Sequence, residues 1–266
     1  MLPILLRIGP ITIYSFGVCL FFGLLFGLYT WWKLGRDEHW EEISLFDAFF
    51  LSLFVFFIAG RIGYVALHWA EMHVLWRAVG VLSYPGLSYP VGIGGVGAFL
   101  AFFSHEQGWN VRKVWDGAVV ALSMTLIFTA VGGLLSGASV GIPWHWGIVT
   151  QMDGVRRFPA DVWSVVWAIL TYAVVFAVRK NFRFYAWYRG QATVAKNGLA
   201  ALVFVAFAGL FYGVAGWITV QSTRLGPIPV TSVVGAGLII AAVVGIFLQR
   251  GGSGRTTNGL LQWKRT

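Results

Sequence analysis

Arg61 lies in the stretch FFIAGRIGYVAL, residues 56–67, which is otherwise apolar apart from small residues and Tyr64. A guanidinium presents a planar fork that matches a phosphate through paired N–H bonds, so at the edge of an apolar layer it can hold a phospholipid headgroup. The competing explanation is that the long side chain snorkels outward to water. A second polar concentration is LSGASVGIPWHWGIVTQMDGVRRFPADVW, which carries His145, Asp153, Arg156, Arg157 and Asp161. His145 is a candidate general base, since imidazole titrates near neutral pH. Its two tryptophan neighbours also suit an interfacial residue. No second histidine or carboxylate accompanies it at ligand spacing, so no metal site is expected. No nucleophile, base and orienting acid can be assembled in sequence order either. Cys19, the single cysteine, excludes a disulfide framework or a cysteine-rich metal site within one chain, and reads as an inert buried thiol.

These residues must be carried by membrane helices. Of 266 residues, 58% are hydrophobic and 11% charged, far from the balance of a soluble domain. Apolar runs of about 20 residues, the length that crosses a ~30 Å hydrocarbon core, recur along the chain. Hydropathy predicts seven spans near Ile11–Trp31, Leu45–Leu67, Val81–Phe103, Val114–Leu135, Ala160–Val178, Leu199–Val220 and Ile228–Leu248. The expected fold is therefore an all-α integral membrane protein, with one seven-helix domain over residues 1–248 and a basic, disordered cytoplasmic tail over 249–266. Thirteen lysines and arginines fall in connections on one side and five on the other. The excess marks the cytoplasmic side, which puts the N-terminus outside and the C-terminus inside. The start of the chain lacks a basic n-region and a small-residue cleavage site, so the first helix is expected to stay attached. Most of the net charge of +9 is this topological bias, and no basic stripe of the kind that reads nucleic acid is present.

Within this frame Arg61 is the only charged residue deep in a span. Counted from Leu45 it stands about 24 Å along its helix, roughly 6 Å below the outer edge of the core. Gly60 and Gly63 beside it permit close approach of a neighbouring helix or a ligand. Pro85 and Pro90 interrupt the third span, and the uninterrupted helix after them reaches only about 21 Å. Broken backbone at membrane depth is tolerated only where protein or a watery cavity covers it. Gly92-x-Gly94-x-x-Gly97 formally matches a dinucleotide fingerprint. It lacks the preceding strand, so helix packing through small residues is the better reading. A retinal protein is excluded because Ile228–Leu248 holds no lysine. A small-solute transporter is a further alternative, although no mid-membrane carboxylate supports ion coupling.

The order of motifs resembles the bacterial prolipoprotein diacylglyceryl transferases over nearly the whole chain. IGPITIYSFG is similar to the family's opening, GRIGYV to its second-span motif and LSYPVGIGG to its serine, aromatic, histidine and glycine segment. VGGLLSGASVG falls on its signature, RRFPADVW on its Arg-His-Pro segment, and FYGVAGW on its late Tyr-Gly motif. The resemblance implies transfer of diacylglycerol from phosphatidylglycerol to the lipobox cysteine of a prolipoprotein, at the outer face of the bacterial inner membrane. That chemistry requires a base for the thiol and cationic or polar donors for the departing glycerol phosphate.

The same alignment shows replacements. Phe16 stands for tyrosine, Pro90 for histidine, and Ala130, Gly133 and Ala138 for arginine, asparagine and glutamate. Phe158 stands for histidine and Gly216 for arginine, while Arg61, Arg157 and Tyr212 are kept and Arg224 lies one residue from a family arginine position. The expectation is a divergent, transferase-like protein that binds phosphatidylglycerol or another anionic phospholipid through Arg61 and Arg157, with the family reaction weak or lost. It would serve as a binding or accessory protein for lipid or prolipoprotein, with no cofactor. The alternative is an active, divergent transferase using His145, Arg157, Tyr212 and Arg224.

Overall fold

The computed structural model describes residues 3–8, 11–72, 76–77, 80, 84, 86–137, 139–149, 155–189, 197–220, 224–225 and 227–251. The first strands, β1 (Ile4–Ile8) and β2 (Ile11–Tyr14), form an antiparallel ribbon that runs straight into α1 (Ser15–Asp37). Then come α2 (Glu42–Leu67), the short α3 (Trp69–Met72), α4 (Tyr89–Glu106) and α5 (Val111–Ser136). A second ribbon, β3 (Pro143–Val149) with β4 (Arg156–Arg157), precedes α6 (Ala160–Arg189) and α7 (Leu199–Ile218). A third, β5 (Arg224–Leu225) with β6 (Ile228–Pro229), leads into α8 (Val230–Gly251).

Six of these helices are long and apolar enough to cross a membrane: α1, α2, α5, α6, α7 and α8. Their outward faces carry large apolar side chains such as Phe54, Ile62, Ile240 and Phe247, each more than 60% exposed. Lipid is the solvent that makes such a surface stable. The helix boundaries follow the hydropathy closely, with three differences. α6 continues past the expected Val178 to Arg189. Residues 11–14 of the expected first span are strand, and the helix starts at Ser15 and continues to Asp37. Pro90 opens the helix instead of interrupting it: it occupies the first turn of α4, where a missing N–H costs nothing. The 18 residues of α4 reach about 27 Å. The break lies just before it, at residues 86–88, which are not helical.

The chain forms two compact units, Met1–Gly27 with Val119–Thr266, and Leu28–Ala118. In the first, α7 packs along α8 through glycines. A Cβ on Gly209 would stand 2.7 Å from the Gly235 carbonyl oxygen, and one on Gly235 would stand 2.5 Å from the Gly213 nitrogen. Ser232 seals the seam by donating to the Gly213 carbonyl at 2.8 Å. The N-terminal half of α1 meets α5 in a similar way, with Thr125 donating to the Gly23 carbonyl at 3.1 Å and Phe26 stacked on Phe128. In the second unit α2 packs on α4, where Gly63 faces Val91, Gly92 faces Phe56 and Gly95 faces Ala59. Of the three fingerprint glycines only Gly92 makes such a contact; Gly94 and Gly97 face open space. Of the expected tail, residues 249–251 complete α8 and the remainder lies outside the described residues.

Overfilling the α7–α8 seam should therefore be costly. Gly235→Val is expected to lower stability by about 3 kcal/mol. Gly237→Ala, which faces open space, should change it by less than about 0.5 kcal/mol. Thermal unfolding of the two purified variants in detergent checks the contrast.

Candidate functional site

Arg61 is buried on α2, 7% exposed, and its guanidinium is committed to backbone. One terminal nitrogen donates to the carbonyls of Tyr84 at 2.8 Å and Gly86 at 3.0 Å, and the other to the carbonyl of Arg77 at 2.7 Å. The Arg61 Cζ also stands 5.7 Å from the centre of the Tyr64 ring. A planar fork with several N–H groups is the one side chain able to gather three carbonyls, two of which, those of Tyr84 and Gly86, belong to no helix or sheet. The segment is drawn in further by Ser88, whose N–H donates to the Gly60 carbonyl at 2.9 Å. Gly86 lies so close under the Tyr64 ring that a Cβ there would overlap it. The close approach permitted by Gly60 and Gly63 is thus taken up by this chain's own residues 86–92.

The other candidates belong to the first unit. His145 is exposed on β3, and its carbonyl accepts a long bond, 3.4 Å, from Arg156. Arg157, half-buried on β4, donates to the Gly141 carbonyl at 3.3 Å. Residues 140–142 form the centre of a backbone knot. Ile142 donates to the Ile218 carbonyl at 3.0 Å, Val220 to the Val140 carbonyl at 3.0 Å, and Phe158 to the Ile142 carbonyl at 2.9 Å. This ties the Arg157 strand to the end of α7. Ser139 donates its N–H to the buried Asp161 carboxylate at 3.1 Å, fixing the start of α6 to the same segment.

Tyr212 and Gly216 are one turn apart on α7, hence on one face. The Tyr212 ring meets Phe211 edge-on. Gly216 is pressed against α8, and a Cβ there would stand 2.7 Å from the Pro229 Cβ and 2.9 Å from the Ser232 Oγ. Arg224 pairs with Pro229 in the third ribbon. Phe16 and Cys19 of α1 pack against Gly132 of α5, and Ala130 and Gly133 are half-buried on the same helix. Phe158 lies against Trp144, ring centres 5.0 Å apart. Asp153 and Ala138 fall outside the described residues. The structure thus joins Arg157, Phe158 and the end of α7, while Arg61 belongs to the other unit. Sequence reasoning missed the acceptors of both arginines, because a carbonyl leaves no mark on residue type. Gly86, where a side chain would overlap the Tyr64 ring, is the residue whose type could have marked the approach.

A family model described as prolipoprotein diacylglyceryl transferase matches residues 3–248. Curated relatives carry the name phosphatidylglycerol–prolipoprotein diacylglyceryl transferase. One from Streptococcus agalactiae is 20% identical over 264 residues, covering 93% of this chain and 96% of its own. One from Aeromonas hydrophila is 22% identical over 241 residues, covering 84% and 80%. One from Streptococcus suis is 22% identical over 198 residues, covering 68% and 71%.

The Arg61 geometry separates two effects of substitution. Arg61→Ala leaves three carbonyls without their donor and is expected to cost about 3 kcal/mol of stability. Arg61→Lys keeps the charge but not the fork, and should recover less than half of that loss. Thermal unfolding of both variants checks this: full recovery with lysine would show that charge alone, and not the carbonyl bonding, is what matters.

Proposed function

Because the chain belongs to the prolipoprotein diacylglyceryl transferase family, we propose that it takes up phosphatidylglycerol or another anionic phospholipid from the outer leaflet, with its own diacylglyceryl transfer weak or lost. It is a multi-pass protein of the bacterial inner membrane. The finer topology of this reading has seven crossings, α4 being the seventh helix, with the N-terminus outside. Arg61 and Arg157 each offer a headgroup contact within their own unit, Arg157 from a half-exposed ribbon and Arg61 by a guanidinium shared with the carbonyls it already holds.

The observation that carries the reading is the surroundings of Gly216. At a position where the resemblance expects arginine, α8 leaves no room for even a methyl group. Pro90 adds to this, since a ring nitrogen without hydrogen, built into the first turn of α4, can neither take a thiol proton nor bind an anion. Transfer needs both tasks done: the sulfur attacks the glycerol carbon, its proton leaves to a base, and glycerol phosphate departs as an anion. A second reading, an active divergent transferase, is favoured by the β3–β4 ribbon, which places His145 and Arg157 on paired strands.

Two measurements decide. Purified protein is incubated with labelled phosphatidylglycerol and a lipobox peptide. The expected outcome is retention of labelled lipid without diacylglyceryl thioether, whereas product that scales with protein would establish the second reading. A green fluorescent protein fused to the C-terminus is expected to be fluorescent in cells, and an alkaline phosphatase fusion inactive; the reverse pattern would overturn the topology.

A further inference from the structure

The β1–β2 ribbon exposes an unusual surface. Ile4, Leu5 and Leu6 are consecutive and respectively 45%, 55% and 51% exposed, and Tyr14 is 59% exposed on the partner strand. Successive side chains of a strand point to opposite faces. The register shifts between Ile4 and Leu6, but along β2 Tyr14 and Ile13 alternate, so the Ile4–Tyr14 pair lies on one face and the Leu6–Ile13 pair on the other. Both faces thus carry apolar residues, a pattern that does not suit docking through one face onto a partner with the other face in water. A two-stranded ribbon is also marginal in water by itself.

What covers it follows from its attachment. β2 ends at Tyr14 and α1 begins at Ser15 with no intervening residue, and the buried Ser15 donates its N–H to the Pro3 carbonyl at 3.1 Å. The ribbon is thus fastened to the first turn of a candidate span. The 23 residues of α1 are about 35 Å long, slightly more than the hydrocarbon core, and the far end carries Lys33 and Arg36. Ser15 then stands at the opposite boundary, and β2, of four residues, is only about 13 Å long. Tyr14 falls where amphipathic rings are favoured, and the exposed Arg7 pairs in register with Thr12 at a level where phosphates are in reach.

We propose that the β1–β2 ribbon lies immersed in the headgroup and upper acyl region of the leaflet at the Ser15 end of α1, so that lipid covers both of its faces. It is a membrane-surface element that fixes the level of α1 in the bilayer. The proposal is independent of transfer activity and of which side of the membrane this leaflet faces.

The single cysteine makes the test direct. In a Cys19→Ala background, Ile4→Cys and Leu6→Cys each receive a nitroxide, with their cross-strand partners Tyr14→Cys and Ile13→Cys as the respective further variants should one of them fail to fold. The protein is reconstituted in vesicles of phosphatidylglycerol and phosphatidylethanolamine. Collision rates are then measured with oxygen, which concentrates in the bilayer, and with a water-soluble nickel chelate. Labels at 4 and 6 report opposite faces, and the expected result is an oxygen rate several-fold above the nickel rate at both. Nickel dominance at both positions would place the ribbon in water. Nickel dominance at one alone would mean a one-faced partner, such as a peptide or another part of the protein. Either result overturns immersion.

Discussion

In hydrocarbon, apolar side chains gain nothing by leaving lipid for one another, so helices associate where their backbones can approach and where a polar group finds a partner. The seams of this protein obey that constraint. Gly209 and Gly235 let α7 and α8 touch main chain to main chain. Thr125 reaches across to a carbonyl of α1, and Ser232 to one of α7. The bulky residues, Phe54 and Phe247 among them, are turned outward to lipid. A soluble protein of the same length would have the reverse distribution.

The constraint explains Arg61 as well. A cation in an apolar helix must either reach water or be compensated by oriented dipoles. Here the carbonyls of Arg77, Tyr84 and Gly86 supply that compensation. A single side chain thereby holds Arg77, Tyr84 and Gly86 against α2.

Much of the architecture was legible in the sequence, since hydropathy reports the length of each span and Lys and Arg report its ends. The start of α4 was misplaced because Pro90 was taken as a breaker, whereas its position in the first turn of the helix makes it an initiator. The ribbons were invisible for another reason. The apolar residues 11–14 look the same whether they extend as strand or wind as helix, and pairing with residues 4–8 decides the matter. For the candidate site, residue types identified the two arginines but not what they hold. The glycine at 216 looked like a bare loss until α8 was found against it.

The knot at residues 140–142 is tied by N–H and carbonyl groups, which every residue except proline supplies in full. Such a frame is nearly blind to the letters written on it. Val140, Ile142 and Phe158 give it only main-chain groups, so their side chains can be exchanged while the path of the chain is inherited intact; Gly141, where a Cβ would overlap the Phe158 carbonyl, and Asp161, which holds the Ser139 N–H, are the exceptions. Ancestry in this molecule is recorded by the course of the main chain, and a lineage built on it can change its chemistry without first having to find a new shape.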